Sequence, residues 1–270
     1  MRANNVDLQK KFWQYNDLLK PKTWVSLLIA SYNTKNEYII DCLKSIENQV
    51  GNFGVELVWI NDGSHEINSL YLRNVLAIFK NNKKNLQLKY FTMSKNKGLS
   101  YCLHFGIAQC SNELIIRMDS DDIMNEYRIM KQIDFMSRNP DCVVCGTDIL
   151  PFSIINGKIY YQKKNNIHPE KLTWDEYKLT QKLWILNHPT LCLKKSAVLE
   201  VGNYDKNLKL PFEDFDLEIR LLKRYGFICN IKENLLLYRI HPEQITNKNR
   251  ENSLQNDELK KKLVEIHIHL

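Results

Sequence analysis

The densest chemistry in this 270-residue chain is Asp119-Ser120-Asp121-Asp122, which follows the apolar run Leu114–Met118 without a break. Carboxylates crowded this closely repel one another unless a cation neutralises them, and their hard oxygen donors suit Mg²⁺ or Mn²⁺. If the extended geometry of the run persists, Asp119 and Asp121 project to the same side. The bland alternative is an acidic surface turn capping the next helix, and the motif alone does not choose. A second acid, Asp62, sits in Asn61-Asp62-Gly63-Ser64 after the apolar run Val55–Ile60, where an Asx-type turn is the local expectation. A third run, Val25–Ala30, ends in Ser31-Tyr32-Asn33. Ligands of open α/β sheets bind beyond the carboxyl ends of strands, so three such ends predict one binding rim.

Two more groups lie farther along. Glu213-Asp214 opens a helical segment marked by Phe215, Ile219 and Leu222. Acids in a first turn suit the helix dipole, which is the structural reading, and the same dipole keeps a carboxylate ionised for work as a base. His241 follows the late run Leu235–Ile240, and a lone histidine there is ordinarily structural.

The elements that must position these groups alternate. Apolar runs at Val25–Ala30, Val55–Ile60, Leu86–Phe91 and Glu113–Met118 read as strands, and Cys142–Cys145 starts another. Between them Ile39, Ile40, Leu43 and Ile46, then Leu70–Phe79, Leu99–Ala108, and Ile129 to Met136 recur at helical spacing, with Asn125 placed to cap the last. This rhythm predicts an α/β fold with a mainly parallel sheet covered by helices on both faces. After Pro151 the rhythm changes. Asn156-Gly157 predicts a hairpin between Phe152–Ile155 and Lys158–Tyr161; a helix near Trp174–Trp184 and a strand at Thr190–Leu193 follow. The expected organisation is an N-terminal helical segment (1–23), a binding half (24–150), a second half (151–245) and a charged helical tail (246–270), whose Lys260-Lys261-Lys262 reads as a solvated face.

Apolar residues at 44% and charged residues at 26% exclude a disordered chain or a fibre. The net charge of +7 suits an anionic small molecule, nucleic acid or a membrane surface. No basic stripe with interleaved aromatics is present, so no nucleic-acid partner is expected. The seven cysteines sit in apolar stretches and read as reduced, buried thiols. Cys142 and Cys145 form a lone C-x-x-C, expected on opposite faces of a strand. Met1–Lys11 is polar, without the apolar core of a secretory leader, and no run is long enough to span a membrane. The expectation is a cytoplasmic protein, soluble or peripherally membrane-associated. For Leu8–Lys20, rich in Lys and aromatics, docking on the domain, pairing in a homo-oligomer and contact with a membrane surface all stay open.

Taken in order, the motifs resemble those of family 2 glycosyltransferases, inverting enzymes with a GT-A, Rossmann-like nucleotide-sugar fold and an acceptor-side C-terminal extension. Trp24–Asn33 resembles their opening strand, Asn61-Asp62-Gly63-Ser64 their D-D-G-S turn, and Asn96-x-Gly98-x-Ser100 their N-x-G loop. Asp119-Ser120-Asp121-Asp122 with Arg128 and Gln132 resembles their D-x-D segment and the helix after it. His188-Pro189-Thr190, Gly202-x-Tyr204, Glu213-Asp214-x-Asp216-Leu217-x-x-Arg220 and Tyr238-Arg239-x-His241 follow. Asn61 departs from the usual Asp, His104 from the usual Asn, and the Pro that often follows D-x-D is absent.

The resemblance implies a UDP-sugar donor, a Mn²⁺ or Mg²⁺ cofactor, and a glycan, glycoconjugate or lipid-linked acceptor. Asp62 would accept from the uracil N–H, with Ala30, Tyr32, Asn33, Gly98 and Ser120 around the nucleotide. Asp119 would contact ribose or, through water, the metal, which Asp121 would ligate directly. Asp214 would be the catalytic base, with Glu213 and Asp216 weaker candidates. His241 would touch metal or diphosphate. Arg239 would serve the diphosphate or pair with an acid such as Glu213, and His188 would stand on the acceptor side or at a sheet edge. The alternative is a non-catalytic nucleotide- or sugar-binding protein on a GT-A scaffold.

Overall fold

Val25, Leu27, Leu28 and Ile29 have no exposed surface, as a strand covered on both faces requires. They form β1 (Thr23–Ser31), which pairs in parallel with β2 (Phe53–Asn61) on one side and β4 (Leu114–Asp119) on the other; β3 (Leu86–Thr92) extends β2 in parallel. The computed structural model describes residues 21, 23–81, 85–162, 168–182, 184–208, 212–244 and 253–269. The segment Leu8–Lys20 and the residues Leu210-Pro211 lie outside the described residues.

The sheet continues through β9 (Cys192–Lys194), β6 (Val144–Ile155), β10 (Phe227–Arg239) and β5 (Ile123–Met124), in the order β3-β2-β1-β4-β9-β6-β10-β5, with β8 (Lys171–Thr173) antiparallel to the start of β10. β9 is antiparallel to both neighbours, so it turns the direction twice and leaves β6 and β10 pointing the same way as β4. Helices α1 (Asn36–Glu47), α2 (Glu66–Asn81) and α4 (Arg128–Arg138) bury their apolar stripes in one core layer. Helices α3 (Leu99–Gln109), α5 (Trp174–Thr180), α6 (Lys195–Glu200) and α7 (Glu213–Tyr225) pack into the other, joined by Val264 of the tail helix α8 (Ser253–His269). The expected α/β architecture with helices on both faces is the one found.

Local departures have physical causes. β6 is one continuous 12-residue strand through Pro151, so the expected boundary at 150/151 falls inside a strand. The hairpin to β7 (Lys158–Tyr161) forms as expected, with Asn156 and Gly157 both at positive φ. Thr190 does not begin β9: His188–Thr190 is a single 3-10 turn with Pro189 inside it, and the Thr190 hydroxyl instead donates to Asn187 O. Asn125 does not cap α4. Its Oδ1 accepts from Tyr127 N two residues on, and Tyr127 occupies the cap position. Cys142 precedes β6 rather than lying in it, so Cys142 and Cys145 face the same core layer instead of opposite ones. Cys229, Cys145 and Cys192 sit in register across β10, β6 and β9. All seven cysteines are free and buried.

Candidate functional site

Strand register places the three expected ends together. Ser31 pairs with Asn61, Ala30 with Asp119, and Asn61 with Thr92, so the polar ends of β1, β2, β3 and β4 form one rim. The turns are tied across it. Asn33, at φ 50°, donates its N–H to Ser64 Oγ while its Oδ1 accepts from His65 N. Thr34 Oγ1 lies 2.7 Å from Ser120 Oγ, fastening the β1 end to the acidic turn. Tyr32 stays half-exposed beside them. Gly63 is obligatory here, because its φ is +65° and a Cβ would stand 2.4 Å from the Lys95 carbonyl carbon.

Asp62 is buried, and its two oxygens accept from Lys97 N at 2.7 Å and Gly98 N at 2.9 Å. It therefore holds the N-x-G loop at the start of α3, and a carboxylate oxygen that accepts one bond can accept another. Asn61 suits its place better than the usual Asp would. Its Oδ1 accepts from Ser64 N while its Nδ2 donates to Tyr90 OH and to Ser69 Oγ, whose own hydrogen goes to Ser64 O, so a carboxylate here would leave Ser69 without its donor. His104 ties α3 to the later segment, with its Nδ1 2.7 Å from Tyr204 O.

The strand does not stay extended through the acidic motif, because Ser120-Asp121 form a turn. The turn nevertheless gathers Asp119, Asp121 and Asp122, each with a carboxylate oxygen within 4.8 Å of the others. Asp122, unassigned in the sequence, is almost wholly buried. Its Oδ1 accepts from Arg239 N, and its Oδ2 has no hydrogen-bond partner among the described residues. Burial, then Asp121 and Asp119 beside it, pushes its carboxyl well up. An orphaned oxygen among repelling carboxylates is what a bound divalent cation would satisfy, so these residues fit Mn²⁺ or Mg²⁺.

The cluster is ringed by cations. Arg117 is buried and grips both oxygens of Asp119, at 2.6 and 2.9 Å. The signal for it was available: one arginine inside the apolar strand Leu114–Met118 must have a partner if buried. His241 Nε2 lies 2.8 Å from Asp121 Oδ2, and its Nδ1 lies 3.1 Å from Glu243. That contact with Asp121, then Glu243, raises the His241 pKa against its burial. Arg239 does not pair with Glu213. It donates to Asp121 O and to Asp41 Oδ2, and its guanidinium lies 4.3 Å from the Tyr38 ring centroid and 4.8 Å from that of Phe152.

Glu213 and Asp214 stand at the N-terminus of α7, within electrostatic reach of Arg117. Burial first and Asp214 second push Glu213 up to about 8, and its Oε2 has no partner among the described residues. Asp214 is partly buried and accepts from Phe215 N; burial raises its pKa, opposed by Lys260 of α8. Lys260 is thus no free part of a solvated face, and its ammonium lies 5.5 Å from the Phe215 ring centroid, although Lys261 and Lys262 are exposed. Asp216 turns away to Arg220 and to His267 of α8. His188 is buried rather than at a sheet edge, its Nε2 2.9 Å from Tyr204 OH, and burial followed by Arg117 keeps it neutral. Asp119 feels Asp214, and Glu213 feels Asp119, so the rim cluster and the α7 pair share one electrostatic neighbourhood.

A family model described as Glycosyl transferase family 2 matches residues 26–193. The amylovoran biosynthesis glycosyltransferase AmsE of Erwinia amylovora is 29% identical over 230 residues, covering 83% of this chain and 79% of that protein. The UDP-Gal:alpha-D-GlcNAc-diphosphoundecaprenol beta-1,3-galactosyltransferase of Escherichia coli is 30% identical over 190 residues, 70% of this chain and 64% of that one. Among solved structures, S. aureus TarS 1–349 in complex with UDP-GlcNAc superposes with a TM-score of 0.62 at 18% identity, covering 82% of this chain and 59% of that chain. That likeness is one of fold.

Proposed function

The chain belongs to glycosyl transferase family 2, and from that premise we propose that it moves a sugar from a UDP-sugar to a hydroxyl of a glycan, glycoconjugate or lipid-linked acceptor with inversion. The observation that carries the reading is the juxtaposition of two separate acidic groups about Arg117. Asp119, Asp121 and Asp122 stand on the sheet rim, and Glu213-Asp214 stand on α7.

The rim binds the nucleotide. Asp62, with lone pairs left over from the Lys97 and Gly98 amides, accepts from the uracil imide, and Ala30, Tyr32, Asn33, Gly98 and Ser120 surround the nucleoside. Asp121, with Asp119 and Asp122 beside it, would hold Mn²⁺ or Mg²⁺, which would supply positive charge against the diphosphate. Arg117 grips both oxygens of Asp119, which fixes its direction and opposes the burial that raises its pKa. His241 and Arg239 flank the diphosphate side of the same cluster.

Asp214 takes the proton. Its carboxylate accepts the acceptor hydroxyl proton as that oxygen bonds to the anomeric carbon, while the bond from that carbon to the UDP oxygen breaks and its electron pair leaves with UDP. Burial and the neighbouring Asp214 push Glu213 up to about 8, which favours its protonated form and makes it the weaker candidate for the base. Burial raises the Asp214 pKa, and Lys260, the Phe215 N–H and Arg117 oppose that rise, favouring the ionised form a base requires.

The test separates binding from chemistry. In a screen of UDP-sugars read by UDP release, with and without Mn²⁺ or Mg²⁺, Asp214→Asn loses transfer by about 10²–10⁴-fold while calorimetric UDP affinity stays near wild type. Transfer by Asp214→Asn at the wild-type rate excludes Asp214 as the base. A wild-type chain that binds UDP and releases none from any donor favours the non-catalytic alternative.

A further inference from the structure

Beyond the site, β6 and β7 run out from the sheet as a two-stranded hairpin with both faces in solvent. Ile154, Ile155, Ile159, Tyr160 and Tyr161 are each between 48% and 59% exposed, and every residue of β7 is exposed. The pairing sets Ile154 against Ile159 and Phe152 against Tyr161, so those four share one face; Ile155 and Tyr160 lie on the other. An isolated apolar hairpin is at best marginally stable in water, so this one presents a surface that gains by being covered.

Its position relates it to the site. β6 points the same way as β4, so the hairpin projects beyond the rim that carries the acidic cluster. At its base Phe152 pairs in register with Arg239 and packs on its guanidinium, and Arg239 in turn donates to Asp121 O.

We propose that the β6–β7 hairpin is a membrane-contact element that seats the protein on an anionic lipid surface with its binding rim facing the bilayer. Charge and area select this occupant. Lys158 stands exposed beside the Asn156-Gly157 turn at the hairpin tip, and the chain carries a net +7. An apolar hairpin with exposed tyrosines and a lysine at its tip, on a basic chain, combines the two attractions that hold a peripheral protein at a headgroup layer. A second copy is the poorer fit. The exposed apolar area is on the order of 500 Å² over both faces, and one face doubled in a pair stays below the roughly 1,200 Å² of a stable interface. The inference does not depend on which sugar is moved or on the identity of the base.

The experiment is sedimentation of the full chain with phosphatidylcholine vesicles, with and without phosphatidylglycerol. The wild type pellets with the anionic vesicles and is released by salt, and the triple variant Ile154→Ser/Ile159→Ser/Tyr161→Ser partitions at least about fivefold less. Its melting curve and UDP affinity match the wild type, because these side chains lie outside the site. In a second measurement an environment-sensitive dye attached at Ile159→Cys shifts to the blue on adding anionic vesicles; the seven native thiols are buried and do not compete. Equal pelleting of the wild type and the triple variant overturns the proposal, as does a dye that does not shift. Light scattering that finds a wild-type dimer converted to monomer by the triple variant overturns it in favour of a second copy.

Discussion

Asp62 shows how one carboxylate can shape a site before any ligand arrives. With both oxygens accepting from the Lys97 and Gly98 amides, it fixes the loop that opens α3, and that loop lines the expected nucleoside slot. Asp62→Ala should therefore do two kinds of damage. It removes the acceptor for the uracil imide, and it frees two backbone donors that then bind water or swing away. By calorimetry UDP affinity should fall by about 1–3 kcal/mol, more than affinity for inorganic diphosphate, which has no imide to read. Equal losses for both would mean that Asp62 supports the loop and reads nothing. The identity of this residue was legible from its turn motif. Its use of both oxygens on the loop was not, because 35 residues separate it from Lys97 and only folding closes that gap.

The tail helix α8 shows what element-level reading misses. A run of lysines looks solvated, yet Val264 is buried in the core, Lys223 donates to His267 O, His267 meets Asp216, and Lys260 stands over Phe215. The helix therefore leans its charge on α7, the element carrying Asp214. Lys260 lowers the Asp214 pKa. Lys260→Met keeps the stem that packs on Phe215 and removes the charge, so Asp214 should ionise at higher pH. The acidic limb of a kcat/KM profile should move to higher pH, with activity above the limb little changed. A limb that stays in place would leave α8 a purely structural role. The strands β1 to β4 and the helices α1 to α4 were legible because period and burial agree along each of them, whereas the two-residue β5 was not. The double reversal at β9 was not, since an apolar run marks a strand but carries no sign of its direction or its partners.

Across the whole molecule the acids divide into two kinds with opposite pH behaviour. Glu56, far from the rim, is buried at a cost in desolvation, but Ser111 N–H, the Lys89 ammonium and the Ser26 hydroxyl together hold its pKa below the ordinary value. A lowered native pKa stabilises the fold above the unfolded value of about 4.3 and loses that contribution as pH falls through the native value. Glu56→Gln should cost about 1–3 kcal/mol at pH 7, and the gap to wild type in melting temperature should close as pH drops below 4. A gap independent of pH would assign the loss to packing. The acids of the rim and of α7 mostly run the other way, raised by burial and by each other, so the site is held at the expense of stability at neutral pH. The cysteines give a means of watching where that expense is felt. Cys192, Cys145 and Cys229 stand side by side across the middle of the sheet, Cys42 lies in α1, and Cys102 and Cys110 lie in and after α3. A buried thiol reacts with an alkylating reagent only when its element opens. The order in which the seven become labelled under native conditions is therefore a built-in stopwatch, timing how each layer of the fold breathes without any reporter being added.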